Sequence, residues 1–343
     1  MNNETTQKRK PNIGDVAHLA GVSIATVSRA LSRPDELRPD TLRKVQAAIE
    51  QLGYLAHGSA RALAARRTQT IGAVFPSLDQ IFASTTFALQ KVLAENGYML
   101  LVACNEYDPV QDAKLVRKLI EREVDGLVMV GTIMNPEVVA LLHDLGVPYV
   151  YTWAFDETGR LPVVGFDHRR ATALATQHLL QLGHREFGVI STPTRDNLNA
   201  QRRLAGVVET LEAHGIRLPP VRIVERPFSY DKGGEGFRAL MQVRPRPTAV
   251  ICLNDVLAIG AMAECRALGL SIPQDVSITG CEDLEVARMA VPPLTTVRYP
   301  TREMGHYAGT FLVETLQGGK PLRQRVFPTE LVVRGSSGKV RQG

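Results

Sequence analysis

With 343 residues, 44% of them hydrophobic, the chain exceeds a single small core and reads as a globular protein of two or three domains. No apolar run reaches bilayer length and MNNETTQKRKPNIG carries no secretory signal, so a cytoplasmic protein without membrane association is expected. The net charge is only +5, yet residues 1–67 hold eleven Lys and Arg against six acids, so the whole excess sits there, the footprint of a polyanion binder.

Taken in chain order, Asn12 is the expected N-cap of a helix Ile13–Ala20, with Asp15 at the third helical position and Gly21 as the stop. Ser23 then caps a second helix from Ile24 to Leu31. Val16, Ala17, Ala20, Val22, Val27 and Leu31 fall where the two helices pack, and Ile24, Ala25, Ser28 and Arg29 face outward. This is a helix-turn-helix, whose second helix enters the major groove by its N-terminal end. Ile24 and Ala25 offer apolar contact to thymine methyls, and Arg29 a forked pair to a guanine edge. Ser23, Thr26, Ser28, Arg38 and Arg43 are candidates for phosphates. Pro39 starts a third helix that turns Leu42, Val45, Ile49 and Leu52 inward.

The stretch IGDVAHLAGVSIATVSRALSRPDELRPDTLRKVQAAIEQLGY resembles the DNA-binding headpiece of the lactose/galactose repressor (LacI/GalR) family. VDGLVMV, HLLQLGHREFGVIS, RPTAVICLNDVLAIGAM, IPQDVSITG and PPLTTVRYP extend the likeness over essentially the whole chain. The resemblance implies a sequence-specific transcriptional regulator, most often a repressor, that binds palindromic double-stranded operator DNA as a homodimer under control of a small-molecule effector. It also implies that LAHGSARALAARRT is a hinge helix formed on DNA, with Arg61 at the DNA and Leu63 wedged into the minor groove. A helix this short is marginal alone in water and gains stability by packing on a partner. One departure is Arg38, where the family commonly has Ser.

From Thr70 onward apolar runs alternate with helical patterns in two sets, which predicts an α/β core of two doubly wound parallel-sheet lobes. Three connecting runs, VVGFD, LTTVRYP and FPTELVVR, look like the crossings of the periplasmic-binding-protein fold that the family shares. The expected partition is a headpiece at 1–57 with a disordered arm at 1–10, a hinge at 58–69 and a core at 70–343. Within the core, the first lobe takes about 70–165 and 298–325, and the second about 166–297 and 326–341.

Ligands of such sheets lie beyond the strand carboxyl ends, hence in the cleft. Trp153, Asp167 and Arg195 fall at such positions, and Phe82, Asn197, Arg203, Phe228, Asp255 and Glu282 match the family's effector-pocket positions. Other work is open to several: Phe82 and Phe228 as core aromatics, Asp255 as a helix cap, Arg203 as an ion-pair partner, and Trp153 as a plug between lobes. A carboxylate facing hydroxyls holds a sugar, while Arg195 and Arg203 could grip a ligand carboxylate, so a sugar or a sugar acid such as gluconate is expected. Cys104, Cys252, Cys265 and Cys281 lack CxxC or Cys/His spacing, so neither a disulfide framework nor a metal or other cofactor is expected. GxGxxG after the first strand, GxxxxGK[ST], GxSxG and HExxH are all missing, which argues against an enzyme. The alternative is a periplasmic-type ligand receptor with no DNA role, against which the basic headpiece counts. The C-terminal VVRGSSGKVRQG has no heptads, which favours a dimer over a tetramer.

Overall fold

The computed structural model describes residue 9 and residues 11–54, 67–78, 80–131 and 136–341. The hinge candidates Arg61 and Leu63 lie outside the described residues. In the headpiece, α1 (Ile13–Ala20) opens with a capping box: the Asn12 side chain accepts from the Gly14 and Asp15 amides, and Asp15 accepts from the Asn12 amide at 2.8 Å. The helix stops at Gly21, whose φ of 65° is the left-handed value that glycine adopts without strain. α2 (Ile24–Ser32) is capped by Ser23, which accepts from the Thr26 amide at 3.1 Å. α3 (Pro39–Leu52) has Pro39 at its first position and ends at Gly53, but Arg38 supplies no side-chain cap. Val16, Ala17, Val27, Ala30, Val45, Ala48 and Tyr54 form the small core, with Leu42, Ile49 and Leu52 packed at its edge.

The larger unit begins with β1 (Thr70–Phe75), α4 (Gln80–Glu95), β2 (Met99–Cys104), α5 (Pro109–Ile120), β3 (Gly126–Val130), α6 (Pro136–Asp144), β4 (Tyr149–Thr152) and β5 (Val163–Gly165). It continues through α7 (His168–Gln181), β6 (Phe187–Ser191), α8 (Leu198–Glu212), β7 (Ile223–Glu225), α9 (Tyr230–Gln242) and β8 (Ala249–Cys252). Then follow α10 (Asp255–Ala267), β9 (Ser277–Glu282), α11 (Glu285–Met289), β10 (Thr295–Arg298), α12 (Thr301–Leu316), β11 (Gln324–Val326) and β12 (Glu330–Val332).

Two six-stranded sheets result, ordered β11-β5-β4-β3-β1-β2 and β12-β10-β9-β8-β6-β7. Helices cover both faces, so β6, β8 and β9 are buried along their whole length; β6 and β8 read in sequence as short apolar runs, whereas β9 also buries Ser277, Thr279 and Glu282. The chain passes between sheets at residues 166–167, 299–300 and 327–329. Val326 still pairs with Gly165 in the first sheet and Arg298 with Glu282 in the second, so ladder pairing carries each strand one residue past the boundaries read from sequence. α12, late in the chain, packs on α4 of the first lobe. α8 lies close on α7, where a Cβ at Gly206 would stand 2.2 Å from the Arg169 carbonyl oxygen.

Candidate functional site

On the headpiece, Ser23, Ile24 and Ala25 are exposed at the N-terminal end of α2 and Arg29 in its last turn, while Thr26 and Ser28 are half-buried. Ile24 is 55% exposed, an apolar side chain left in solvent at the start of α2. The Ser23 hydroxyl is tied to the Thr26 hydroxyl at 2.8 Å as well as to the helix amide, so both are oriented in advance. Arg38 is exposed, and Arg43 is paired with Asp40 on α3.

In the larger unit a cavity of about 370 Å³ opens between the two sheets. Phe82, Trp153, Arg195, Asn197, Arg203, Phe228 and Glu282 line it, together with Asn199, His168 and Asn254. Asp167 and Asp255, expected at the effector site, do not. Asp167 caps α7, accepting from the Arg169 and Arg170 amides. Asp255 is fully buried at the start of α10 and accepts from the Thr296 hydroxyl at 2.6 Å and the Leu284 amide at 2.8 Å. Strand ends followed by helices serve caps as readily as ligands, which explains Asp167, whereas Asp255 caps nothing and instead ties the start of α10 to β10 and to the segment after β9.

The apolar wall is built on Trp153, packed edge to face with Phe82 at 5.1 Å and near Phe166 and Tyr299 at 6.0 and 6.1 Å. Its backbone is left-handed, with φ of 59°, and its carbonyl accepts from Asn199 Nδ2 at 2.9 Å and His168 Nε2 at 3.0 Å. Arg202 donates to the neighbouring Phe155 carbonyl at 2.6 Å. Three donors of the second lobe thus hold one short segment of the first. Burial lowers His168 to about 3, so the ring is neutral at physiological pH, and its bond to a carbonyl places the proton on Nε2.

The polar wall centres on Glu282, whose side chain is 1% exposed. Asn254 Nδ2 donates to its Oε1 at 2.7 Å, and Arg203 stands 3.8 Å away. Arg203 also donates to the Leu253 carbonyl at 2.9 Å and the Asn199 carbonyl at 3.3 Å, which fixes its fork. Burial raises Glu282 to about 7, against the pull of Arg203 and the Asn254 bond. Glu282 Oε2, Asn254 Oδ1 and Asn199 Oδ1 are buried acceptors with no hydrogen-bond partner. Arg195, by contrast, is 93% exposed beside Asp196. Sequence reasoning missed Asn199 and His168. Their only signal is adjacency, since Asn199 is the second residue of α8, two after its cap Asn197, and His168 directly follows Asp167.

Among the described residues no helix is long and apolar enough to cross a membrane. Residues 12–56 match the model of bacterial regulatory proteins of the lacI family, and residues 176–337 match a periplasmic binding protein-like domain. The HTH-type transcriptional repressor CytR of Escherichia coli strain K12 is 30% identical over 333 residues, covering 96% of this chain and 97% of the relative. The HTH-type transcriptional regulator CelR of Thermobifida fusca is 32% identical over 341 residues, covering 96% and 99%. Among solved structures, a CelR–cellobiose complex has a TM-score of 0.71 at 30% identity and covers 95% of this chain and all of that one. The lac repressor dimer bound to operator and the anti-inducer ONPF has a TM-score of 0.84 at 26% identity, covering 96% and 100%. These relatives are regulators rather than enzymes. With a helix-turn-helix early in the sequence and two sheets around a cleft in the larger unit, the chain belongs to the lacI family of bacterial regulatory proteins and is a DNA-binding transcriptional regulator.

Proposed function

We propose that the protein is a homodimeric repressor of palindromic operators whose effector is a neutral sugar held in the cleft. The carrying observation is the set of buried acceptors without partners, Glu282 Oε2, Asn254 Oδ1 and Asn199 Oδ1, beside an aromatic wall. Buried acceptors call for donors, and a sugar supplies hydroxyl donors on its edge and an apolar face for Phe82, Trp153 and Phe228. A sugar acid such as gluconate fits less well, because Nε and Nη1 of Arg203 already donate to the Asn199 and Leu253 carbonyls, its charge faces Glu282, and Arg195 is 93% exposed. A structure of the relative CelR is described as a cellobiose complex, which supports the same ligand class.

Dimerisation follows from operator symmetry, since one reading helix covers few bases. Exposed apolar side chains on and beside the edge strand β2 (Phe87, Met99 and Val110), and Met289 and Val291 in the second lobe, supply surface for a second copy. Ser23, Ile24, Ala25, Thr26, Ser28 and Arg29 read or hold DNA, Arg38 and Arg61 assist, and Leu63 opens a base step.

The test is the thermal midpoint of the full chain against neutral sugars, phosphorylated sugars and sugar acids. A hundredfold excess over Kd adds about 2.7 kcal/mol, a visible shift. A shift with neutral sugars supports the reading, one confined to acids turns it toward gluconate-like ligands, and silence across the panel sinks it.

A further inference from the structure

Beneath the polar wall lie two buried carboxylates and one guanidinium. Glu282 is held by Asn254 and faces Arg203 at 3.8 Å; Asp255 is fully buried with only neutral donors, Thr296 and the Leu284 amide. Asn254, which bonds Glu282, adjoins Asp255, and Leu284, whose amide bonds Asp255, lies two residues after Glu282, so the two acids share one pocket, where burial and the neighbouring Glu282 raise Asp255 well above the usual carboxylate range. A buried site with two negative charges against one positive one favours taking up a proton, and it gives that proton back only as pH rises or as a donor arrives to hold the second charge. Gly280, two residues before Glu282, leaves room for the Asp255 carboxylate, whose Oδ1 would stand 2.2 Å from a Cβ there.

We propose that Glu282 and Asp255, facing the single guanidinium of Arg203, share one exchangeable proton, so that occupancy of the cleft is linked to proton uptake and release.

The other titratable groups around Glu282 do not offer that proton. His168, heading α7, is held near 3 by burial, and Cys281 on the same strand is pushed up to about 12. Tyr299, after β10, is raised well above its usual range by burial. Asp283, next in the chain, is fixed between Arg298 and Arg334. The carboxylate pair remains, and Glu282 is the member that lines the cavity. The proton passes to and from water. A ligand whose hydroxyls donate to Glu282 favours its ionised form, so its affinity rises with pH by up to about tenfold per unit below the transition and levels off above it.

The ligand direction of this linkage rests on the sugar reading; the proton exchange does not. The test uses the ligand-free full chain between pH 5.5 and 8.5, followed by the fluorescence of Trp153, its one tryptophan, and by the infrared band of protonated carboxyl groups. Ordinary carboxylates are ionised throughout that range. The expected result is a single transition near pH 7 in both signals that is lost in Glu282→Gln and moved in Glu282→Asp, the conservative variant that serves if Glu282→Gln does not fold. A flat infrared signal, a transition that persists in Glu282→Gln, or a midpoint unmoved in Glu282→Asp overturns the proposal. A flat titration leaves the sugar reading standing, and a silent sugar panel leaves the proton exchange standing.

Discussion

At Gly280 a methyl group would stand 2.2 Å from Asp255 Oδ1 and 2.9 Å from Leu294 Cδ2. Both Asp255 oxygens are already bonded, so the carboxylate cannot swing aside. Gly280→Ala is therefore expected to destabilise the core by at least about 1–3 kcal/mol, read as a lower urea midpoint. Glu282 gives a second expectation, with a definite sign. Its folded value of about 7 lies above the ordinary 4.5, so the folded state binds the proton more tightly than the unfolded one. The contribution is complete below the unfolded value and is lost as pH rises to 7. Relative to Glu282→Gln, the protein should lose about 3 kcal/mol between those limits and level off above them, at about 1.4 kcal/mol per unit; parallel stability curves would contradict this. Asp167 and Asp255 show where sequence stops at this scale. An acid after a strand and before a helix has the same pattern whether it faces a ligand, an amide or a hydroxyl, and only the fold decides. Asn199 was illegible for the opposite reason: its partner, the Trp153 carbonyl, belongs to the other lobe and is a backbone atom common to every residue.

Among elements, the helices of the headpiece were legible because their signals are local. The Asn12–Asp15 box, the Ser23 cap, Pro39 and the glycines after α1 and α3 each act within a few residues. Ser23→Ala should cost the headpiece about 1 kcal/mol of stability, seen in its melting. Arg38 sits at the head of α3 without a cap bond, so Arg38→Ser should raise headpiece stability by a similar amount. If Arg38 also touches phosphate, the same variant weakens DNA binding uniformly across sequences and lowers its salt slope by about one, as measured by fluorescence anisotropy. An unchanged slope would remove Arg38 from the DNA contacts. Arg29→Ala, in contrast, should lose about 1–3 kcal/mol of discrimination at one base position. The strands were legible as apolar runs, but the exact crossing between sheets was not, because Val326 and Arg298 are placed by ladder partners distant in sequence.

For the whole molecule, charge concentrated in the first 67 residues predicts operator affinity that falls steeply with salt, with a slope set by the number of phosphates neutralised. A flat response would place the binding face elsewhere. The first lobe is also discontinuous: α12 and β11 come from residues after 300 and complete a unit that began at Thr70. On the ribosome, a chain released only as far as β10 already has the five parallel strands of the second sheet. Its first sheet still lacks an edge strand, and α4 lacks the helix that packs on it. The lobe begun first therefore waits through the synthesis of most of the second for α12 and β11, and only β12 of the second sheet follows them, so the apolar face of α4 stays open to chaperones for much of translation.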